Sequence, residues 1–211
     1  MLAGKQKELP PEARPYIPQA ERPAYLEWTL WRAFLAINSL VNKPYEARHF
    51  KIDRDFLPVG HAPGGRPDMF FEFTDFVLVV EVTLTASSRQ EAAEGEPVRR
   101  HVADYVVRHR DSGKDVYGLF VANSIDSNTA ATFAIGQWYL RDDTRLDLLI
   151  VPLALEQFAE LFRAGFAVSA LNPEAMKNVL ISALARSNSP APQWKLEIAR
   201  EVERAVLRYK K

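Results

Sequence analysis

"GRPDMFFEFTDFVLVVEVTLT" (Gly65–Thr85) decides the fold. Its two apolar runs, "MFFEF" and "FVLVVEVTLT", are rich in aromatic and β-branched residues, and Thr74-Asp75 between them has turn chemistry. An antiparallel hairpin over roughly residues 68–85 follows. With Thr74 and Asp75 as its turn, Asp68 stands directly opposite Glu81 on one face, Cβ atoms roughly 4.5–5.5 Å apart. Two carboxylates so placed repel each other. A hard divalent cation held between them removes the repulsion, because Mg²⁺ takes oxygen ligands from one or two carboxylates plus water and phosphate. The carbonyl of Val82 can add a ligand where the strand ends. Gly64, Gly65 and Pro67 lead into Asp68, and glycine allows a close approach of backbone or ligand. Glu81 follows the unbroken run "FVLVV", so it sits where a core strand leaves the interior, and Thr83 and Thr85 share its face.

Outward from the hairpin, the pattern predicts a mixed β-sheet flanked by helices. Five prolines between Pro10 and Pro23 forbid a continuous helix, so residues 1–23 read as an extended arm and 24–211 as a single α/β domain. "YLEWTLWRAFLAINSL" predicts a helix over about 25–42 with Trp28, Trp31, Leu35 and Leu40 on its apolar face. Residues 43–67 read as loop. After a polar stretch, a helix is expected from about Pro97 to His109, with Pro97 in its first turn. "DVYGLFVAN" (115–123) and "RLDLLIVPL" (145–153) read as strands, and 128–140 as a helix. The C-terminal part, 153–211, reads as helices over 154–164, 173–187 and 193–209. Strand pairs followed by alternating helix and strand give the mixed sheet.

Composition narrows the function. The 211 residues contain no cysteine, which removes disulfides and thiolate metal sites. Lys and Arg number 27, as do Asp and Glu, so the net charge is zero and a broad basic DNA-binding surface is excluded. A local basic groove remains compatible with that balance, and DNA affinity of the chain alone is expected to be weak. There is no apolar signal core and no run near the roughly 18 apolar residues of a membrane span, so a cytoplasmic location without membrane association is expected.

"PD", twelve intervening residues, then "EVT" resembles the PD-(D/E)XK nuclease motif, with Thr83 where a lysine usually stands. "EVTLTASSRQEAAEGEPVRRHV" (81–102) looks like the signature of the AlwI-type restriction endonucleases, a group of type IIS enzymes and related nicking endonucleases. The "EWTLWRAF" helix (27–34) and the "HAPGGRPD" approach (61–68) also resemble that family, and the resemblance spans about residues 24–135.

The resemblance implies a restriction-endonuclease-like core acting as a Mg²⁺-dependent deoxyribonuclease, with Mn²⁺ able to substitute. It implies that Asp68 and Glu81 bind the metal with the Val82 carbonyl, that Glu94 and His101 complete the site, and that Glu27 stands at its edge. Glu96 rivals Glu94 for its place. With Thr83 unable to act as a cation, His101 is expected to replace the lysine as a general base or an orienting donor. Arg66, Arg99 and Arg100 are candidate contacts to the DNA backbone.

Family members that cut at specific sequences carry a recognition domain, for which this chain has no obvious room. The expected role is therefore the small subunit of a heterodimeric restriction–modification endonuclease acting on double-stranded DNA. A larger subunit would recognise the site and nick one strand while this chain cuts the other. The alternatives are a catalytically silent nuclease-fold scaffold and a repair or defence nuclease without sequence preference.

Overall fold

The computed structural model describes residues 17–86 and 89–210. Sixteen residues of the expected N-terminal arm lie outside that range. Helix α1 (Arg22–Leu35) is followed by a small hairpin, β1 (Lys51–Ile52) and β2 (Pro58–Gly60). The central hairpin is β3 (Met69–Glu72) and β4 (Phe76–Thr83). Then come α2 (Gln90–Arg108), β5 (Asp115–Ala122), α3 (Ser127–Ile135), β6 (Gln137–Tyr139), β7 (Arg145–Asp147) and β8 (Leu149–Ala154). Helices α4 (Leu155–Ala167), α5 (Pro173–Leu184) and α6 (Ala191–Tyr209) complete the chain.

The main sheet has the order β3-β4-β5-β8, with β3 antiparallel to β4 and the other pairs parallel. It is the expected mixed sheet flanked by helices. Alternation along the strands assigns the faces. Phe71 of β3 stacks on Phe34 of α1 at 4.4 Å, and Phe34 meets Phe162 of α4 at 5.1 Å. On the opposite face Phe70 meets Tyr105 of α2 at 4.9 Å, and Phe120 meets Phe133 of α3 at 5.3 Å. One continuous apolar core runs from Leu26 to Ala205, so the C-terminal helices share it with the hairpin. Among the described residues no helix is long and apolar enough to cross a membrane.

The hairpin register is the expected one: Met69 pairs with Val80 and Glu72 with Val77, which leaves Asp68 across from Glu81 at the open end. At the closed end Lys114 donates to Glu72 and to the Phe73 carbonyl, at 2.7 and 2.9 Å. Lys177 of α5 pairs with both Asp75 and Asp115. The turn is thus tied to two other elements, which fixes where the far end emerges.

Gly118 of β5 sets how closely α2 lies on the sheet. A Cβ there would come within 2.7 Å of Val102 Cγ2 and 3.0 Å of Ile150 Cγ1. Gly118→Ala is expected to push α2 outward and lower unfolding free energy by about 1–3 kcal/mol in denaturant titration.

Several boundaries differ from the sequence reading, each for a local reason. Helix α1 ends at Leu35 rather than near 42, because Asn38 takes a left-handed φ of 53° and the chain turns onto the edge of β3. There the Val41 N–H donates to the Glu72 carbonyl at 2.7 Å, and Asn42 Oδ1 accepts from the Glu72 N–H at 2.9 Å. Residues 43–67 contain the β1–β2 hairpin and are not all loop.

Helix α2 starts at Gln90, not near Pro97, so Pro97 lies inside it. The cause is Gln90 itself, which is wholly buried. Its Nε2 donates to the carbonyls of Thr85 and Ser124, at 2.7 and 2.9 Å, and its Oε1 accepts from the Asp126 N–H at 2.9 Å. That clamp sets the first helical turn upstream of the proline and links the exits of β4 and β5. Helix α3 stops at Ile135 because Gly136 is left-handed (φ 59°), and the rest of the predicted helix becomes β6. The predicted strand 145–153 divides at Leu148 into β7, which pairs with β6, and β8, which joins the main sheet.

Candidate active site

The open end of the hairpin carries the site. The Phe73 N–H donates to the Phe76 carbonyl at 2.9 Å, and directly bonded pairs recur at every second residue of an antiparallel ladder. By that alternation the N–H and C=O of Val82 point to where residue 67 would pair. Residue 67 is proline and has no N–H to give. The Val82 carbonyl is therefore left without its ladder donor. The Val82 N–H is taken by a side chain instead: it donates to Asp68 Oδ2 at 2.8 Å.

Glu81 is 8% exposed. Its Oε2 accepts from the Asp68 N–H at 3.3 Å, and its Oε1 lies 2.5 Å from His101 Nδ1. The Asp68 and Glu81 carboxyls face each other across the open end, close enough for each to act on the other's charge. Burial, then the charge of Glu81, raises the Asp68 pKa well above the carboxylate range. Burial pushes Glu81 up to about 8, with Glu94 and Glu27 adding repulsion. Glu27 on α1 is 4% exposed, accepts the Ala62 N–H at 2.8 Å through Oε2, and is raised to about 9 by burial and by Asp68. Four acids thus feel one another at one end of the sheet.

Among the described residues no three His, Cys, Asp or Glu side chains present a ready-made ligand set. The acidic oxygens are turned into hydrogen bonds instead. The donor set nevertheless fits a hard cation: two facing carboxyls, a strand-end carbonyl without a ladder partner, and protons that a cation would displace.

The structure separates the remaining candidates. Glu94 lies on α2 seven residues before His101, hence on the same helical face, and acts on both Asp68 and Glu81. Glu96 is turned away and pairs with Arg100 at 3.0 Å. His101 is 5% exposed; burial lowers its pKa, and its Nε2 is buried without a hydrogen-bond partner. Its contact is with a proposed ligand, which is the geometry of an orienting group. Thr83, in the lysine position, is half-buried and its Oγ1 accepts the Thr85 N–H at 3.1 Å.

Of the three arginines, Arg66 lines a cavity beside Pro67. Arg99 donates to the Gly95 carbonyl at 3.1 Å and lies over the Trp138 ring at 5.6 Å. Arg100 is engaged with Glu96.

Sequence reasoning missed Gln90, Tyr105 and Arg108. The last two continue the Glu94–His101 face of α2, at four and seven residues beyond His101. The expected helix from Pro97 to His109 already held His101, Tyr105 and Arg108, and the four- and seven-residue spacing from His101 was the signal that put them on one face.

Among curated protein sequences none matches this chain. Among solved structures it is similar to the small subunit, R.BspD6I2, of the heterodimeric restriction endonuclease R.BspD6I. That match has 28% identity and a TM-score of 0.69, and covers 87% of this chain and 90% of that one. Residues 4–161 match the AlwI restriction endonuclease family, which is three quarters of the chain, carrying the whole acidic site and both faces of the sheet. The chain belongs to the AlwI restriction endonuclease family.

Proposed function

We propose that this chain is a Mg²⁺-dependent DNA endonuclease subunit that hydrolyses one strand of a duplex, while a larger partner subunit recognises the site. The observation that carries the reading is half-buried Asp68 and buried Glu81 facing each other at the open end of the hairpin, with Glu94 and Glu27 around them. Membership of a restriction endonuclease family supports the reaction class, and the similarity to a small subunit supports the division of labour.

Asp68, Glu81 and the Val82 carbonyl would hold the cation. When bound it would acidify the attacking water and stabilise charge on the scissile phosphate. His101 orients Glu81 through Nδ1, which leaves Nε2 as its only uncommitted ring nitrogen. Glu94 adds negative charge from α2, and Glu27, held by the Ala62 N–H, fixes the edge of the site from α1. No lysine takes part, so the positive charge that the broader motif puts on its lysine is missing from this strand.

His101→Ala is expected to lower Mg²⁺ affinity about 10–100-fold, as loss of a residue that orients a ligand does. The check is a Mg²⁺ titration of cleavage rate beside a Mn²⁺-binding measurement. Saturating metal should restore much of the rate if His101 only orients Glu81. A rate that stays low at saturation would assign His101 to proton transfer. The subunit role is tested by a strand-resolved cleavage assay with and without the larger subunit. One strand should be cut by this chain only when the partner is present. Robust site-specific cutting by the purified chain alone would refute the division of labour.

A further inference from the structure

Beside the acidic site, on the other side of the Pro67 backbone, lies a cavity of about 270 Å³ lined by His49, Arg66, Phe70, Asp104, Tyr105 and Arg108, among others. We infer that this cavity is a DNA phosphate subsite, in which Arg66, Arg108 and the Tyr105 hydroxyl hold a backbone phosphodiester of the strand entering the acidic site. The inference rests on the nuclease reading for the identity of the ligand, and on the following geometry for the site.

Each wall has a fixed position. Arg108 lies over the Tyr105 ring at 4.4 Å. Tyr105 packs on Phe70, and Phe70 in turn on the His49 ring at 6.0 Å. His49 Nδ1 lies 2.5 Å from the Pro67 carbonyl, and the His49 N–H donates to the Asp68 carbonyl at 3.1 Å. The residues that hold Asp68 therefore also line the cavity. Gly65, with φ 89°, adopts the backbone turn that brings Arg66 to the mouth.

The charges are unspent. Among the described residues neither Arg66 nor Arg108 forms an ion pair, although Asp104 lines the same cavity. Two guanidiniums against one exposed carboxylate leave a positive recess next to four acids. A protein with no net charge needs such a recess if a polyanion is to reach its acidic centre. The planar guanidinium fork suits two phosphate oxygens at once. The Tyr105 ring, packed on Phe70, supports the Arg108 side chain from below.

The test is metal-free, so it does not depend on cleavage. Fluorescence anisotropy of the full chain with a labelled duplex in EDTA, between about 50 and 200 mM salt, gives affinity and its salt slope. Arg66→Gln and Arg108→Gln should each weaken binding several-fold. The double variant should reduce the log–log slope by about one, the loss of one phosphate contact. Arg200→Gln, on α6, should bind as the parent does. Side-chain Nε–H resonances of Arg66 and Arg108 should shift on adding the duplex, whereas that of Arg200 should not. Thermal melts of the variants confirm folding. Unchanged affinity and slope in the double variant, or no shift of the Arg66 and Arg108 signals while the duplex binds, would overturn the subsite. Failure of the nuclease reading is a separate result: no cleavage with Mg²⁺ and the larger subunit, with binding in EDTA intact.

Discussion

Asp68→Asn should abolish strand cleavage, on the order of 10³-fold, and at the same time make the metal-free chain more stable near pH 8. The two effects share one cause. Asp68 is forced beside Glu81, with burial and mutual repulsion both opposing charge. An asparagine keeps an oxygen for the Val82 N–H, now at 2.8 Å from Asp68 Oδ2, but removes one acid from the pair. Near pH 8 the unfolded chain carries Asp68 charged, whereas burial and Glu81 favour its protonated form in the fold, and asparagine removes that cost. Glu81→Gln should act in the same direction with a smaller gain, because the Asp68 N–H and His101 Nδ1 both contact Glu81 oxygens. Urea denaturation in EDTA and a plasmid-nicking assay with the partner measure the two halves. A variant that loses cleavage and also loses stability would mean that the acids serve the fold and not a cation.

A divalent cation should stabilise the chain, and more so as pH rises. Glu81 and Glu27 have folded-state pKa values raised from 4.5 to about 8 and about 9. The folded protein therefore holds protons that the unfolded chain releases near pH 4.5. Stability from these groups is complete below that pH and is lost as pH climbs through the folded-state values. Mn²⁺ or Mg²⁺ replaces those protons, so its binding releases protons and competes with them. The rise in Tm on adding saturating cation should accordingly be larger at about pH 8.5 than at about pH 6. Differential scanning fluorimetry at the two pH values, with the Asp68→Asn variant as control, reads this directly. A Tm that does not respond to cation at either pH would remove the basis for metal-dependent hydrolysis.

How much of this was legible beforehand differs between the sheet and its surroundings. The hairpin register could be read because a side chain's face depends only on parity and the turn residues were plain. That register placed Asp68 opposite Glu81, and the structure does the same. The start of α2 could not be read that way. Pro97 carries a strong local preference for a first turn, and the force that overrides it comes from Gln90, whose partners Ser124 and Asp126 are more than thirty residues away. Tyr105 and Arg108 lay within the expected helix on the face of His101, but nothing local in the sequence set that face against Phe70 and His49. Arg99 and Arg100 illustrate a further limit. Neighbours in sequence to the site, they are committed to Trp138 and Gly95 in one case and Glu96 in the other.

Residue 67 matters through an atom it does not have. Any other amino acid there would bring a hydrogen to the strand end, close the ladder onto Val82, and cover its carbonyl oxygen. Such a chain would keep every acid, and a survey of its side chains would pass it as intact. Its defect would lie wholly in the backbone, one bond too many at the place where the sheet has to stop.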